Sequence, residues 1–300
     1  MEAAAQRRTR QLIPRFDRFV GVDWSGATGR NYSGIAVADC HAGTDAPVLI
    51  AAPGRRRWGR TDFVDWMAAQ AGQGERLLIG IDCAFALPAA MAGQVLGGDY
   101  SAAELWAYID ATCADAGDFF GGPFAEHEAH QAHFWHRGPR PTGFAQHHRA
   151  TEHACKAAGL GSPESPLKLV GARQVGKGGL AGMRVLHALK TRLGHAFAVW
   201  PFDPAERADI VCIELYPRLF MKMAGHGNGK VRTAEALDKC LTALGSAPGR
   251  DPPQTLSDHE TDALVAAAGL RFIAGDPAVW SPPAMDSLAL RAEGWIFGVI

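Results

Sequence analysis

Three hydrophobic runs, each carrying one acid near its C-terminal end, constrain the fold of this chain more than any other feature. The runs span residues 19–27, 77–88 and 210–217. Their β-branched and aromatic residues predict buried strands, and the small residues or proline after each acid predict a turn. Because ligand-binding groups collect where strands end in α/β sheets, we predict one shared site that contains these acids.

The acids are Asp23, Asp82 and Glu214. Carboxylates at the ends of neighbouring strands repel one another, and the usual reason to gather them is to hold divalent cations. A charged carboxylate beside a buried strand needs a donor, a cation or a metal, because leaving it unpaired costs several kcal/mol. For Asp23 a second interpretation stays open, in which it caps the turn through Ser25 or Gly26.

The composition limits the partners and the compartment. The 300 residues are 47% hydrophobic and 20% charged, with a formal net charge of −1, so no global field attracts nucleic acid or an anionic membrane. Six scattered cysteines without a Cys-x-x-Cys pair predict reduced, buried thiols and a cytoplasmic protein. No stretch approaches the ~20 apolar residues of a membrane span, so we expect no membrane partner.

Composition shifts also divide the chain into segments. Residues 1–18 are polar and basic, which predicts a flexible arm before a single domain over residues 19–300. Two short hydrophobic runs after the first one predict strands that complete an antiparallel meander. Residues 95–205 are irregular and rich in Gly, Pro and His, which predicts an insertion or lid. The apolar segment 293–300 is expected to dock on the sheet.

A capping box over Ser257 to Glu260 predicts the start of a long helix that carries Asp262. Residues three and four apart share a helix face, so His259 and Asp258 lie on the same face as Asp262. Capping is the expected role of Asp258 and Glu260, because the helix dipole favours acids at the N-terminus. Asp262 is a candidate for the shared site, since apolar residues follow it along the helix.

Five short motifs occur in order along the chain. They are Gly-Val-Asp, Gly-Ile-Asp-x-x-x-x-Leu-Pro, Ile-Glu-Leu-Tyr-Pro, His-x-x-Asp-Ala-Leu and the closing Glu-Gly-Trp-Ile. Together they resemble the domain-of-unknown-function family 429, predicted nucleases of the ribonuclease H-like (RNase H-like) superfamily. The resemblance implies an α/β fold with a mixed five-stranded sheet flanked by helices and interrupted by the large insertion.

The resemblance also implies a nuclease site with Mg²⁺ or Mn²⁺ as cofactor. In that site Asp23, Asp82, Glu214 and Asp262 bind the metal, and His259 acts as a further ligand or a proton carrier. One departure is that the fourth-strand acid is Asp82, where related resolvases generally have Glu. The expected substrate is a nucleic acid or another phosphodiester. Two alternatives stay open: a nucleotide-binding ATPase or kinase-like protein, and a non-catalytic binding module on the same fold.

Residues of the insertion are candidate substrate-binding groups. Arg149 and Glu152 resemble an Arg-x-x-acid element of the family, which makes Arg149 a candidate phosphate contact; the alternative is a plain Arg–Glu pair on a helix. Residues 171–178 nearly match a phosphate-binding loop, although Gly178 replaces the Ser or Thr that binds Mg²⁺. We predict that Arg149 and Lys177 form a wall over the acids, with a flexible surface loop as the alternative.

Two cationic segments have no assigned role. Histidines recur every third residue over residues 127–136. On a helix the first and last of them face opposite sides, so all four cannot bind one metal, although adjacent pairs could, and we expect a solvated surface segment. The basic run at residues 55–60 suits contact with a nucleic-acid backbone and equally an exposed turn.

Overall fold

The computed structural model describes residues 14–29, 32–140, 147–171, 174–227, 229–248 and 256–300. Its strands are β1 (Arg18–Asp23), β2 (Ala36–His41), β3 (Val48–Leu49), β4 (Leu77–Ile81), β5 (Phe197–Val199) and β6 (Ile210–Glu214). They form one mixed sheet in the order β3-β2-β1-β4-β6-β5. β1 to β3 make an antiparallel meander, whereas β4, β6 and β5 are parallel to β1. The expected mixed α/β sheet and its meander are confirmed.

Helices cover both faces of the sheet. They are α1 (Arg60–Gln70), α2 (Ala89–Leu96), α3 (Ala102–Thr112), α4 (Gly122–Glu126), α5 (Ala150–Ala157), α6 (Gly176–Leu193), α7 (Pro217–Met223), α8 (Ala234–Ala243), α9 (Asp258–Ile273) and α10 (Pro277–Trp280). One hydrophobic core joins the sheet to α1, α3 and α6, and a second joins it to α7, α8 and α9. The chain thus forms three layers, with helices on each side of the sheet.

Alternation along β1 sends its side chains into the two cores in turn. Val22 belongs to the core of α1, α3 and α6, whereas Phe19 belongs to the core of α9. Gly21 shares the face of Phe19, and a Cβ there would lie 2.4 Å from the backbone oxygen of Ala263 in α9. Strand and helix therefore pack backbone to backbone, which holds α9 directly beside the strand that ends in Asp23.

The sheet has six strands rather than the five expected. The additional strand is β5, Phe197–Val199, which is buried and pairs with β6 inside the segment 95–205 expected to be an insertion. Three residues are too few to show the period-two pattern by which a strand is recognised in a sequence. Apart from β5, the regular structure of the described residues in that segment is helical, from the end of α2 to α6.

At the two ends of the chain, one prediction is wrong in part and the other is confirmed. Residues 1–13 of the predicted arm lie outside the described residues, but the arm prediction is wrong for the residues that follow. Phe16 is buried and stacks on Trp280 with 5.8 Å between ring centroids, and Arg18 already begins β1. At the other end the expected docking is confirmed, because Phe297 is buried and its N–H donates to the backbone oxygen of Glu214 over 2.9 Å.

The histidine-rich segment is not uniformly solvated. His130 is fully buried, lies 3.0 Å from the hydroxyl of Tyr108, and contacts the backbone oxygen of Phe124 through its other ring nitrogen. The solvated-segment prediction is therefore wrong for this histidine. Among the helices of the described ranges, none combines the length and apolar character required to cross a bilayer.

Candidate active site

A cavity of about 880 Å³ lies at the C-terminal ends of β1, β4 and β6. These strands are parallel, so their ends meet at one edge of the sheet. Its lining includes all the residues that the sequence nominated, namely Asp23, Asp82, Arg149, Glu152, Lys177, Glu214, His259 and Asp262. The structure thus brings the nominated residues together in one cavity, but each of them makes different contacts there.

Asp23 and His259 form the first pair in this cavity. His259 Nδ1 lies 2.6 Å from Asp23 Oδ2, because the close packing of α9 on β1 places the first turn of the helix beside the end of the strand. Burial raises the pKa of Asp23 to about 6, against the opposing effect of the His259 hydrogen bond. That same hydrogen bond raises the pKa of His259. The capping interpretation of Asp23 is not needed, since this carboxylate has a side-chain partner.

Asp262 forms the second pair, with a residue that the sequence did not nominate. Lys230 Nζ donates to Asp262 Oδ2 over 2.8 Å. Asp262 Oδ1 is buried and has no hydrogen-bond partner among the described residues. Burial raises the pKa of Asp262, whereas Lys230 lowers it. Lys230 stands in a glycine-rich segment before α8, where no motif or periodicity singles it out.

Asp82 joins these two pairs as a third carboxylate. It directly follows β4, and its backbone N–H donates to the Val22 oxygen over 2.9 Å, so it lies beside the end of β1. Its pKa is well above the ordinary value, first because of burial and then because of the charges of Asp23 and Asp262. The three aspartates therefore form a group in which each negative charge disfavours the others.

Glu214 differs from the aspartates, because its carboxylate is already bound. Both oxygens accept hydrogen bonds from the Arg149 guanidinium, and Oε2 also accepts the backbone N–H of Phe85 over 2.9 Å. The reason is strand alternation: Glu214 pairs in register with Ile81, whose side chain belongs to the core opposite α9. Glu214 therefore lines the cavity but is not available as a metal ligand in this arrangement.

Arg149 is buried and satisfied, which corrects its nomination as a phosphate contact. Its five N–H groups donate to the carboxylates of Glu152 and Glu214 and to the backbone oxygen of Glu293. Arg149 is only 1% exposed. Burial raises the pKa of Glu152 to about 7, against the lowering effect of Arg149. The pair interpretation is thus the correct one for Arg149 and Glu152, extended by Glu214 on β6.

Lys177 lies in the cavity wall at the start of α6. The loop after β1 touches this helix so closely that a Cβ on Gly26 would lie 2.2 Å from the backbone nitrogen of Gly178. Lys177 Nζ stands 6.0 Å from the ring centroid of Phe120, which lines the same cavity. The wall over the acids is therefore built from Lys177, while Arg149 lies beneath the surface.

Arg60 stabilises the loop after β1, which lines the cavity. No sequence pattern predicted this role. Its guanidinium donates to the backbone oxygens of Ser25 and Ala27 and to the hydroxyl of Tyr32. The side chain is completely buried. For this last member of the basic run at residues 55–60, both the nucleic-acid contact and the exposed turn are therefore wrong.

The three aspartates have oxygen ligands that suit a divalent cation, but their present arrangement does not enclose one. In the part of the chain that the structure describes, no three His, Cys, Asp or Glu side chains are placed to enclose one ion. The donor chemistry nevertheless fits Mg²⁺ or Mn²⁺, which prefer carboxylate oxygens, and Asp262 Oδ1 is a buried oxygen without a partner. A bound ion would take the place of the contacts that His259 and Lys230 now make with Asp23 and Asp262.

Comparison with known proteins yields no relative: no protein-family model matches the chain, and no curated protein or solved structure is significantly similar to it. The function is therefore inferred from the site itself.

Proposed function

We propose that the protein is a metal-dependent phosphodiester hydrolase of the nuclease type, built on an RNase H-like fold. The observation that carries this proposal is the convergence of three carboxylates, the buried Asp23 and Asp262 and the partly buried Asp82, from two adjacent strands and one helix. Proteins rarely gather repelling acids in a cavity without a cation to bind. The antiparallel meander followed by strands parallel to β1 supports the RNase H-like part of the proposal.

The proposed roles follow from the environment of each group. Asp23, Asp82 and Asp262 would hold Mg²⁺ or Mn²⁺, which supplies positive charge for water activation and for the phosphate. Asp23 orients His259 through Nδ1, which leaves Nε2 to exchange a proton with water or substrate. Lys177 and Lys230 add positive charge to the cavity wall for a phosphate. Glu214 has a supporting role, through Arg149.

The test is a cleavage screen with single-stranded and duplex DNA and RNA, with Mn²⁺, with Mg²⁺ and with EDTA. We expect metal-dependent cleavage that Asp23→Asn reduces by at least about a thousandfold, because it removes one carboxylate from the ion and the orienting partner of His259. Asp115→Asn is the matched control, since Asp115 is exposed and does not line the cavity. Thermal unfolding of both variants establishes that the fold is intact.

Two outcomes would contradict the proposal. Full cleavage by Asp23→Asn would remove Asp23 from the mechanism, and no cleavage of any substrate by the wild type would remove the hydrolase assignment. In the second case, titration calorimetry with Mn²⁺ separates the remaining classes, because metal uptake without turnover indicates a binding module.

A further inference from the structure

A second cavity, of about 480 Å³, adjoins the carboxylate site. The two cavities share four lining residues, Glu152, Ser162, Pro163 and Glu164. Three of these, residues 162–164, belong to the segment after α5 and form a common rim. A chain that leaves the first cavity across this rim enters the second one.

The second cavity differs from the first in charge. Apart from the shared Glu152 and Glu164, the charged residues described in its lining are cationic: Arg140, Lys156 and Lys168, beside His148 and His153. Glu152 is already bound by Arg149, and Glu164 forms an ion pair with Lys168, with 3.2 Å between Oε1 and Nζ. We call this space the basic cavity. An anion meets an attractive field from these cations, whereas the first cavity contains a group of three aspartates.

Helix α5 contributes residues to the lining of both cavities. Glu152 and Cys155 are buried on its inner side, whereas His153 and Lys156 are exposed and line the basic cavity. Because Arg149 at the start of α5 binds Glu214 at the end of β6, the helix is fixed to the sheet next to the acids. The cations of α5 are therefore held close to the acids rather than on a free loop.

An aromatic side chain completes the basic cavity. Trp135 is partly exposed, and Lys168 Nζ lies 5.5 Å from the centroid of its ring. The backbones of the two segments are joined, since Trp135 N donates to the oxygen of Leu167 over 2.9 Å and Leu169 N donates to the oxygen of Trp135 over 3.0 Å. Cations around an aromatic ring are the usual composition of a site for single-stranded nucleic acid.

We propose that the basic cavity binds the nucleotide next to the scissile phosphate, so that the substrate is a single-stranded nucleic acid of several nucleotides. This inference rests on the proposed function of the carboxylate site. Its phosphate contacts the exposed Lys156, and a base lies in the space beside Trp135, whose ring Lys168 flanks. A mononucleotide in the first cavity does not reach these groups, so they add nothing to its binding affinity.

The test measures binding rather than turnover. A labelled single-stranded dodecathymidylate is titrated with the full-length protein in EDTA by fluorescence anisotropy, from low to moderate salt. Lys156→Glu is expected to weaken binding by about tenfold or more and to reduce the salt slope by about 0.7 for each phosphate that the variant no longer neutralises. Trp135→Leu is expected to weaken binding by a factor of about 5 to 150.

The matched control is Arg207→Glu, which makes the same charge reversal at an exposed arginine outside both cavities. Its affinity and salt slope are expected to stay at the wild-type values. The proposal is overturned if Lys156→Glu and Arg207→Glu behave alike, if the wild type does not bind the oligonucleotide, or if thymidine monophosphate competes as strongly per molecule as the oligonucleotide.

The two proposals fail independently in this design. Metal-dependent cleavage with unchanged oligonucleotide binding by Lys156→Glu removes the basic cavity and leaves the hydrolase. The predicted loss of binding without cleavage by the wild type removes the hydrolase and retains a single-strand binding site.

Discussion

Asp23 and Asp82 leave adjacent parallel strands on the same face of the sheet. The residues before them, Val22 and Ile81, are paired in register, and both aspartates therefore lie toward α9. Neither carboxylate can ionise without raising the cost of ionising the other. Together with the burial of the carboxylates, this repulsion affects the stability of the folded chain to an extent that can be measured.

The first prediction concerns pH. The pKa of Asp23 is raised from 3.8 to about 6 in the folded chain, so its stabilising contribution is present below pH 3.8 and is lost as the pH rises through 6. His259 acts in the same direction above its ordinary pKa, because its folded pKa is also raised. Asp23→Asn should thus gain up to about 3 kcal/mol in unfolding free energy relative to wild type as the pH rises from about 4 to above 6.

Urea unfolding in EDTA at several pH values measures this difference, with Asp115→Asn as the control that keeps the wild-type dependence. A variant whose stability relative to wild type falls as the pH rises would show that Asp23 is stabilised as a carboxylate and that its raised pKa is wrong.

The sequence predicted the strand ends but not which side of the sheet each acid would face. The acid-ended runs sufficed to place Asp23, Asp82 and Glu214 at one edge, because parallel strands share their ends. The register between β4 and β6 was unknown, and a shift of one residue exchanges the faces, so the separation of Glu214 from the aspartates was not predictable. Lys230 was missed for another reason, since a lysine at the end of a glycine-rich segment follows no period.

The second prediction concerns the buried ion group of Arg149. Arg149→Met leaves Glu152 and Glu214 buried without a cation, which should lower the unfolding free energy by about 3 to 5 kcal/mol. Lys156→Met on the same helix is the control and should change stability by no more than about 0.5 kcal/mol, since Lys156 is exposed. Adding Glu214→Gln to Arg149→Met should recover part of the loss; a further loss would show that unpaired charge is not the cause.

The third prediction concerns the contact that places α9. A Cβ at Gly21 would lie 2.4 Å from the Ala263 oxygen and 2.5 Å from the Ala267 nitrogen, and these backbone atoms cannot move without the helix. Gly21→Ala should therefore cost about 1 to 3 kcal/mol or more. The control is Gly98→Ala, because a Cβ there meets nothing within 4 Å. Equal thermal stability of the two variants would mean that α9 does not depend on this approach to β1.

The last prediction concerns Lys230, whose ammonium lies beside Asp262, where a metal ion is proposed to bind. Its ammonium lies 2.8 Å from Asp262 Oδ2, and its side chain is 48% exposed, so the bond is that of a partly screened ion pair. A divalent ion that binds Asp262 must overcome repulsion by this ammonium, and it must also displace the ammonium if it binds Oδ2. Lys230→Ala should thus tighten Mn²⁺ binding by a factor of about 2 to 10.

Titration calorimetry at constant ionic strength measures that affinity, and Lys239→Ala is the control because Lys239 is paired with Glu235 outside the cavity. If Lys230 also contacts the substrate phosphate, Lys230→Ala will bind Mn²⁺ more tightly yet cleave more slowly, which separates its two effects. Weaker Mn²⁺ binding by Lys230→Ala would contradict the displacement argument, because it would mean that the lysine orders Asp262 for the ion instead of competing with it.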